Sequence, residues 1–188
     1  MRVVLTGTPG TGKTTAADRL PGTYEVVHLN EVVEREGLWT ERDADRDSLV
    51  VDVDALAAWV DDHVDTPRAE AEDEDENDGS DADTVVLESH LAHLLDADRV
   101  IVLRCRPDVL ESRLRERGLS EAKAAENAES EALDVILSEA VEHGAERVYE
   151  IDTTDRSPGE VATEIERVVT GERDPSAGEV DFTDYLHP

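Results

Sequence analysis

The chain has 188 residues, enough for one domain with a sizeable core, and its single cysteine, Cys105, excludes a disulfide framework or a thiolate metal cluster. Asp and Glu number 48 against 18 Lys and Arg, a formal net charge of −30, which excludes a surface built to grip nucleic-acid phosphates. No apolar run approaches the ~20 residues of a membrane span and no signal peptide precedes the first strand, so a cytoplasmic protein with no membrane partner is expected.

Hydrophobic segments persist nearly end to end, so the acid belongs to a folded surface. Lysine occurs only at Lys13 and Lys123, against 16 arginines. Such a surface suits molar salt, where the Debye length is about 3 Å and self-repulsion is screened. In dilute buffer the same charge should push the fold apart.

In chain order, Val3-Val4-Leu5-Thr6 is a β-branched run that predicts a strand, and Gly7-Thr8-Pro9-Gly10-Thr11-Gly12-Lys13-Thr14-Thr15 follows it directly. This matches the phosphate-binding pattern G-x-x-x-x-G-K-[ST] at every position, with a strand before it and a helix after. Glycines let the backbone approach an anion closely, and loop N–H groups converge on one phosphate position. Lys13 adds a mobile positive charge for the β- and γ-phosphates. The Thr14 hydroxyl suits Mg²⁺, which prefers hard oxygen ligands. ATP and Mg²⁺ are the expected cofactors.

The helix opening at Gly12 is expected to reach Leu20, before Pro21-Gly22. Residues 24–29 read as a second strand, and residues 30–36 as a short helix capped by Asn30 and stopped by Gly37. Residues 38–52 show weak periodicity and many charges and read as a loop. Asp54 is the expected cap of a helix ending before Pro67. From 70 to 83, nine of fourteen residues are Asp or Glu, which predicts a mobile acidic loop.

Residues 84–88 read as a buried strand ending in Glu88, an acid placed to orient water on Mg²⁺; His90, two residues on, could bond phosphate or water, with His93 the weaker candidate. Residues 99–103 are the next strand, and Pro107 fits the first position of the following helix. Arg104, Arg106, Arg113, Arg115 and Arg117 concentrate there, and Arg117, before Gly118, is the best candidate to touch phosphate. Ser120 caps one long helix expected to reach His143. Residues 147–151 form the last strand, and Ser157-Pro158-Gly159-Glu160 is a capping box for a final helix. Phe182, Tyr185 and Leu186 of the polar tail are expected to dock on the core.

Strands alternating with helices, each strand an almost unbroken apolar run, predict an α/β fold with a five-stranded parallel sheet and helices on both faces. Ligands should lie at the carboxyl ends of the strands, where the phosphate loop already is.

The phosphate loop, His28-Leu29-Asn30-Glu31, Arg46-Asp47-Ser48, Val51-Asp52-Val53-Asp54, and Arg113-x-x-x-Arg117-Gly118-Leu119-Ser120-Glu121-x-Lys123 followed by Glu126-Asn127 together resemble the adenylate kinase isoenzyme 6 family. The resemblance covers about residues 1–169. It implies a P-loop NTPase of the nucleoside-monophosphate-kinase type: a single domain over 1–171, a monophosphate segment at about 28–51, a short lid at about 116–126, and a tail over 172–188. Gly10, Gly12, Lys13, Thr14 and Thr15 would hold ATP and Arg117 would clamp it; Lys13, Arg117, Glu88 and His90 are the catalytic candidates, and Thr14 the metal ligand. The activity implied is transfer of the ATP γ-phosphate to AMP or another monophosphate, with ATPase activity. A role in late maturation of the small ribosomal subunit and its rRNA is also implied, through transient contact with a basic ribosomal protein rather than RNA. The alternatives are an ATPase assembly factor with little kinase activity, or a P-loop kinase for a small non-nucleotide substrate. A monomer is expected, and the composition resembles that of halophilic archaea.

Three departures stand out. Eukaryotic members carry Asp-x-His where this chain has Glu88-Ser89-His90, one methylene longer. The arginine expected early in the monophosphate segment falls on Glu34, which leaves Arg35, Arg42 and Arg46 as candidates for the monophosphate clamp. The acidic stretch 70–83 has no counterpart.

Overall fold

Near-continuous apolar runs can bury both their faces only between two helical layers, and that requirement shapes the chain. The structure, a computed structural model, describes residues 1–43, 48–64, 84–142 and 144–186. Arg46, the acidic stretch 70–83 and His143 lie outside the described residues. In order, the elements are β1 (Arg2–Thr6), α1 (Lys13–Ala17), β2 (Glu25–His28), α2 (Leu29–Glu36), β3 (Trp39–Asp43), β4 (Ser48–Val51) and α3 (Val53–His63). They continue with β5 (Val85–Glu88), β6 (Arg99–Arg104), α4 (Pro107–Glu116), α5 (Glu121–Ala132), α6 (Val135–Glu142), β7 (Val148–Asp152) and α7 (Pro158–Val169).

Among the described residues, β2, β5, β1, β6 and β7 form one parallel sheet in that spatial order. Val4, Leu87, Val102 and Val148 face α2, α3 and α6, where Leu29, Val33, Leu56, Val60 and Leu137 cover them. Val3, Leu5, Val86, Ile101 and Ile151 face α1 and α7, which contribute Ala16, Val161, Ile165 and Val168. A smaller cluster of Cys105, Leu110, Leu114 and Ala124 packs α4 on α5. Because the strands are parallel, the phosphate loop after β1, Glu88, Arg104 and Asp152 all emerge at one edge. Among the described residues no helix is long and apolar enough to cross a membrane.

Several expectations need correction. Residues 38–52 are not a loop: β3 and β4 form an antiparallel hairpin, with an irregular register between Trp39 and Glu41. Residues 39–42 are all exposed, Trp39 at 41%, and Val50 is exposed as well, so the alternation that marks a half-buried strand is lost. α2 starts at Leu29 after His28, and Asn30 instead accepts a hydrogen bond from Ser89 Oγ at 2.9 Å. α3 is capped by Asp52, whose side chain accepts from Ala55 N, rather than by Asp54. α1 is helical only to Ala17, and residues 18–20 finish it as a tightened turn. The single helix expected over 120–143 is two, broken where Asp134 takes a positive φ of 55°. A short polar side chain tolerates that conformation better than most, and Asp134 pairs with Arg104.

The expected tail docking is seen at Phe182, which is buried against the Arg104 guanidinium at 5.5 Å. Tyr185 Oη reaches Glu111 at 3.4 Å, and Leu186 is half-buried. Ser120 and Ser157 both cap as expected, the latter in a complete capping box.

Candidate active site

The loop between β1 and α1 turns on glycines. A Cβ at Gly7 would collide with the Leu103 carbonyl, and one at Gly10 would sit 2.8 Å from Leu110 Cδ1 and Leu114 Cδ2. Both positions also have positive φ, so the loop lies tight against β6 and α4. Thr8 carbonyl oxygen accepts from Thr11 N and Thr11 Oγ1, and Thr153 Oγ1 donates to Thr11 O, which ties the loop to the end of β7.

Lys13 is 8% exposed and donates from Nζ to the carbonyls of Gly7 and Thr8, at 2.7 and 3.2 Å. Burial lowers its pKa to about 8, and Arg117 adds to that, against the opposing pull of Glu88 and Glu131. An ammonium bonded to neutral carbonyls in a desolvated position gains strongly from any phosphate that enters. Glu88, 3% exposed at the end of β5, accepts from Thr14 Oγ1 at 3.2 Å. Its other oxygen meets His28 Nδ1 at 2.9 Å, and His28 Nε2 lies 3.4 Å from Asp18. Burial alone would lower the His28 pKa, but the Glu88 hydrogen bond and the Glu88, Asp18 and Glu31 charges raise it overall. Two hard oxygens converging beside the loop lysine fit Mg²⁺.

His90 follows on the turn after β5. Burial, then the Lys13 and His93 charges, lowers its pKa to about 4, so its imidazole is neutral near pH 7. His93 is fully buried between Thr6 Oγ1 at 3.0 Å and Glu139 at 2.8 Å, a packing role rather than a site role.

A cavity of about 260 Å³ opens on the far side of the loop. Gly12 and Thr15 form its floor, and Arg113, Arg117 and Arg156 bring positive charge to its walls. Ala16, Pro158 and Val161 supply an apolar side. Arg113 is fixed by donating to the carbonyls of Thr153 and Thr154, both at 3.1 Å.

Residues 3–134 match the family described as an AAA domain. A protein named "Putative adenylate kinase" from Natronomonas pharaonis is 56% identical over 187 residues, 99% of this chain and 100% of its own. A protein of the same name from Halobacterium salinarum is 57% identical over 188 residues, with the same coverage. The chain belongs to this archaeal family. A gluconokinase from Sinorhizobium meliloti 1021 superposes with a TM-score of 0.53 at 13% identity, over 91% of this chain and 92% of that one, which shows a shared fold.

In this family member the structure brings Gly10, Gly12, Lys13, Thr14, Thr15, Glu88, His90 and Arg117 to one edge of the sheet. The other expected arginines divide. Arg104 is buried in carboxylates, Arg106 pairs with Asp108 and Asp184, and Arg115 pairs with Glu111 and Glu121. Arg35 bonds Glu36 and lies 5.9 Å from the Trp59 ring, while Arg42 sits exposed on β3. Sequence reasoning missed Arg156 and Thr153 in the cavity, His28 and Asp18 beside Glu88, and Glu131 behind the loop. Only Arg156 carried a signal, as an arginine just past the last strand.

Proposed function

We propose that the protein is a nucleoside-monophosphate kinase of the adenylate kinase type, catalysing ATP + AMP ⇌ 2 ADP. The observation that carries this reading is the meeting of the buried Lys13 ammonium, the Thr14–Glu88 oxygen pair and an arginine-walled cavity around one phosphate loop. The names of the full-length relatives support it.

The loop amides and Lys13 would bind the ATP phosphates, and the cavity beside Thr15 would receive the nucleoside. Thr14 and Glu88 would hold Mg²⁺, whose charge offsets that of the β- and γ-phosphates. An oxygen of the acceptor phosphate forms the new bond to the γ-phosphorus, and the bond to the β–γ bridging oxygen breaks. Lys13 and Arg117 stabilise the charge that develops; no protein nucleophile is required. The hairpin β3–β4 with α2 forms the monophosphate segment, with Arg35, Arg42 or Arg46 as its clamp, and the turn between α4 and α5 forms the lid. Residues 1–171 make one kinase domain.

Glu88 and the neutral His90 beside Lys13 also favour some hydrolysis, since both can orient water toward phosphate. That reading accompanies a place in the isoenzyme 6 group and a role in small-subunit maturation. With a net charge of −30, a basic ribosomal protein is then the contact, not rRNA. Product analysis in molar KCl separates the two activities. Transfer requires AMP and yields two ADP per ATP consumed; turnover indifferent to AMP, yielding one ADP and phosphate, would leave only the hydrolytic reading.

A further inference from the structure

Behind the phosphate loop lies a buried polar cluster that the transfer chemistry does not use. Glu131, near the end of α5 and 3% exposed, has both oxygens engaged. Oε1 accepts from Arg104 Nε at 2.8 Å and from Cys105 N at 3.1 Å, both at the end of β6. Oε2 accepts from Thr8 Oγ1 at 2.5 Å. Arg104 is itself held by Asp134, Glu150 and the Phe182 ring, so the carboxylate cannot turn away from the loop.

We propose that Glu131 is a positioning residue, which pins the phosphate loop through Thr8 and keeps its shape when Lys13 moves to phosphate. The inference rests on the nucleotide-kinase reading above. Thr8 is the node of the loop. Its carbonyl accepts from Thr11 N, Thr11 Oγ1 and Lys13 Nζ, while its hydroxyl points the other way, to Glu131. At 2% exposure Thr8 cannot reach a ligand through its side chain. When Lys13 turns to a phosphate it gives up its bonds to Gly7 and Thr8. Together with the Thr11 bonds to the Thr8 carbonyl, the Thr8–Glu131 bond then holds the start of the loop and is its tie to α5, so the amides stay aimed without reorganisation. Arg104 balances the Glu131 charge, so the latch does not set a bare carboxylate against the incoming phosphate. Because α5 follows the turn assigned to the lid, the same bond ties the loop to the element that closes over it.

The test measures Mg-ATP and AMP affinity by calorimetry, alongside kcat and KM, in molar KCl. Thr8→Val keeps the shape and removes the hydroxyl; it should weaken ATP binding about tenfold, the loss expected for one hydrogen bond to a charged group. AMP affinity should stay within about twofold. Thr8→Ser, which restores the hydroxyl, should recover ATP affinity to within about threefold of wild type. Glu131→Gln keeps the side-chain volume and should weaken ATP binding in the same sense, with the double variant no worse than the weaker single. Wild-type ATP affinity in Thr8→Val, equal loss of ATP and AMP affinity, or no rescue by Thr8→Ser would overturn the latch. A wild-type protein that does not bind ATP at all would overturn the kinase reading and the latch with it.

Discussion

Two buried cations sit a short distance apart at the carboxyl edge of the sheet, and they are treated in opposite ways. Arg104, 1% exposed, meets Glu131, Asp134 and Glu150; burial alone would lower its pKa, yet the three carboxylates outweigh it and raise it. Lys13 meets carbonyl oxygens instead, and burial wins, taking its pKa to about 8. A fully paired charge is part of the architecture. A buried charge bonded only to neutral groups is one the fold tolerates for the sake of a ligand.

The largest effect expected from breaking this contrast is on stability. Arg104→Ala strands Glu131 and Glu150 without their cation and should cost about 3–5 kcal/mol in denaturant unfolding. Lys13→Ala should do the reverse: unfolding free energy stays level or rises, while transfer falls at least about a hundredfold. The sign follows from linkage. The folded pKa of about 8 lies below the ordinary 10.5, so the fold bears the cost of the buried charge below pH 8 and is relieved of it as pH rises from 8 to 10.5. Over the same range kcat/KM for ATP should fall, because the free enzyme loses the ammonium. Normal turnover in Lys13→Ala would remove the phosphate site from the account.

Salt sharpens the comparison least. Stability of the wild-type chain should rise from dilute buffer to molar KCl, as the surface charge is screened. The Arg104→Ala penalty should persist at every salt concentration, because buried pairs are screened far less. A melting temperature indifferent to KCl would speak against adaptation to high salt.

The difference between the two cations also marks how far the sequence could be read. Lys13 was legible because a contiguous motif names it: the glycines, the lysine and the threonine must be adjacent for the loop to work. The sheet was legible for a similar reason, since β1, β5 and β6, its three central strands, are each one apolar run. Arg104 looked from the sequence like one more arginine near the phosphates. Its partners Glu131, Asp134 and Glu150 are 27, 30 and 46 residues away, and no local pattern joins them. The same holds for His28, which meets Glu88 from 60 residues away. The hairpin β3–β4 escaped because its residues 39–42 are all exposed and show no alternation, and the sequence between its strands carries no Asn-Gly or Asp-Gly signal. The break in the helix after Ala132 was not legible, because Leu133, Val135 and Ile136 continue the apolar residues across it. Only in the fold do the buried positions run 124, 128, 131 and 132 and then skip to 137.

Lys13 is a buried ammonium held only by carbonyl oxygens until phosphate arrives, and the sequence makes it directly observable. With lysine only at positions 13 and 123, selective isotopic labelling gives two side-chain resonances, assigned by Lys123→Arg. Titrated in molar KCl, the Lys13 signal should turn near pH 8 and move to higher pH when Mg-ATP is added, as a bound anion favours the charged form. A Lys13 signal that turns at its ordinary value near 10.5, and does not respond to ATP, would contradict the account.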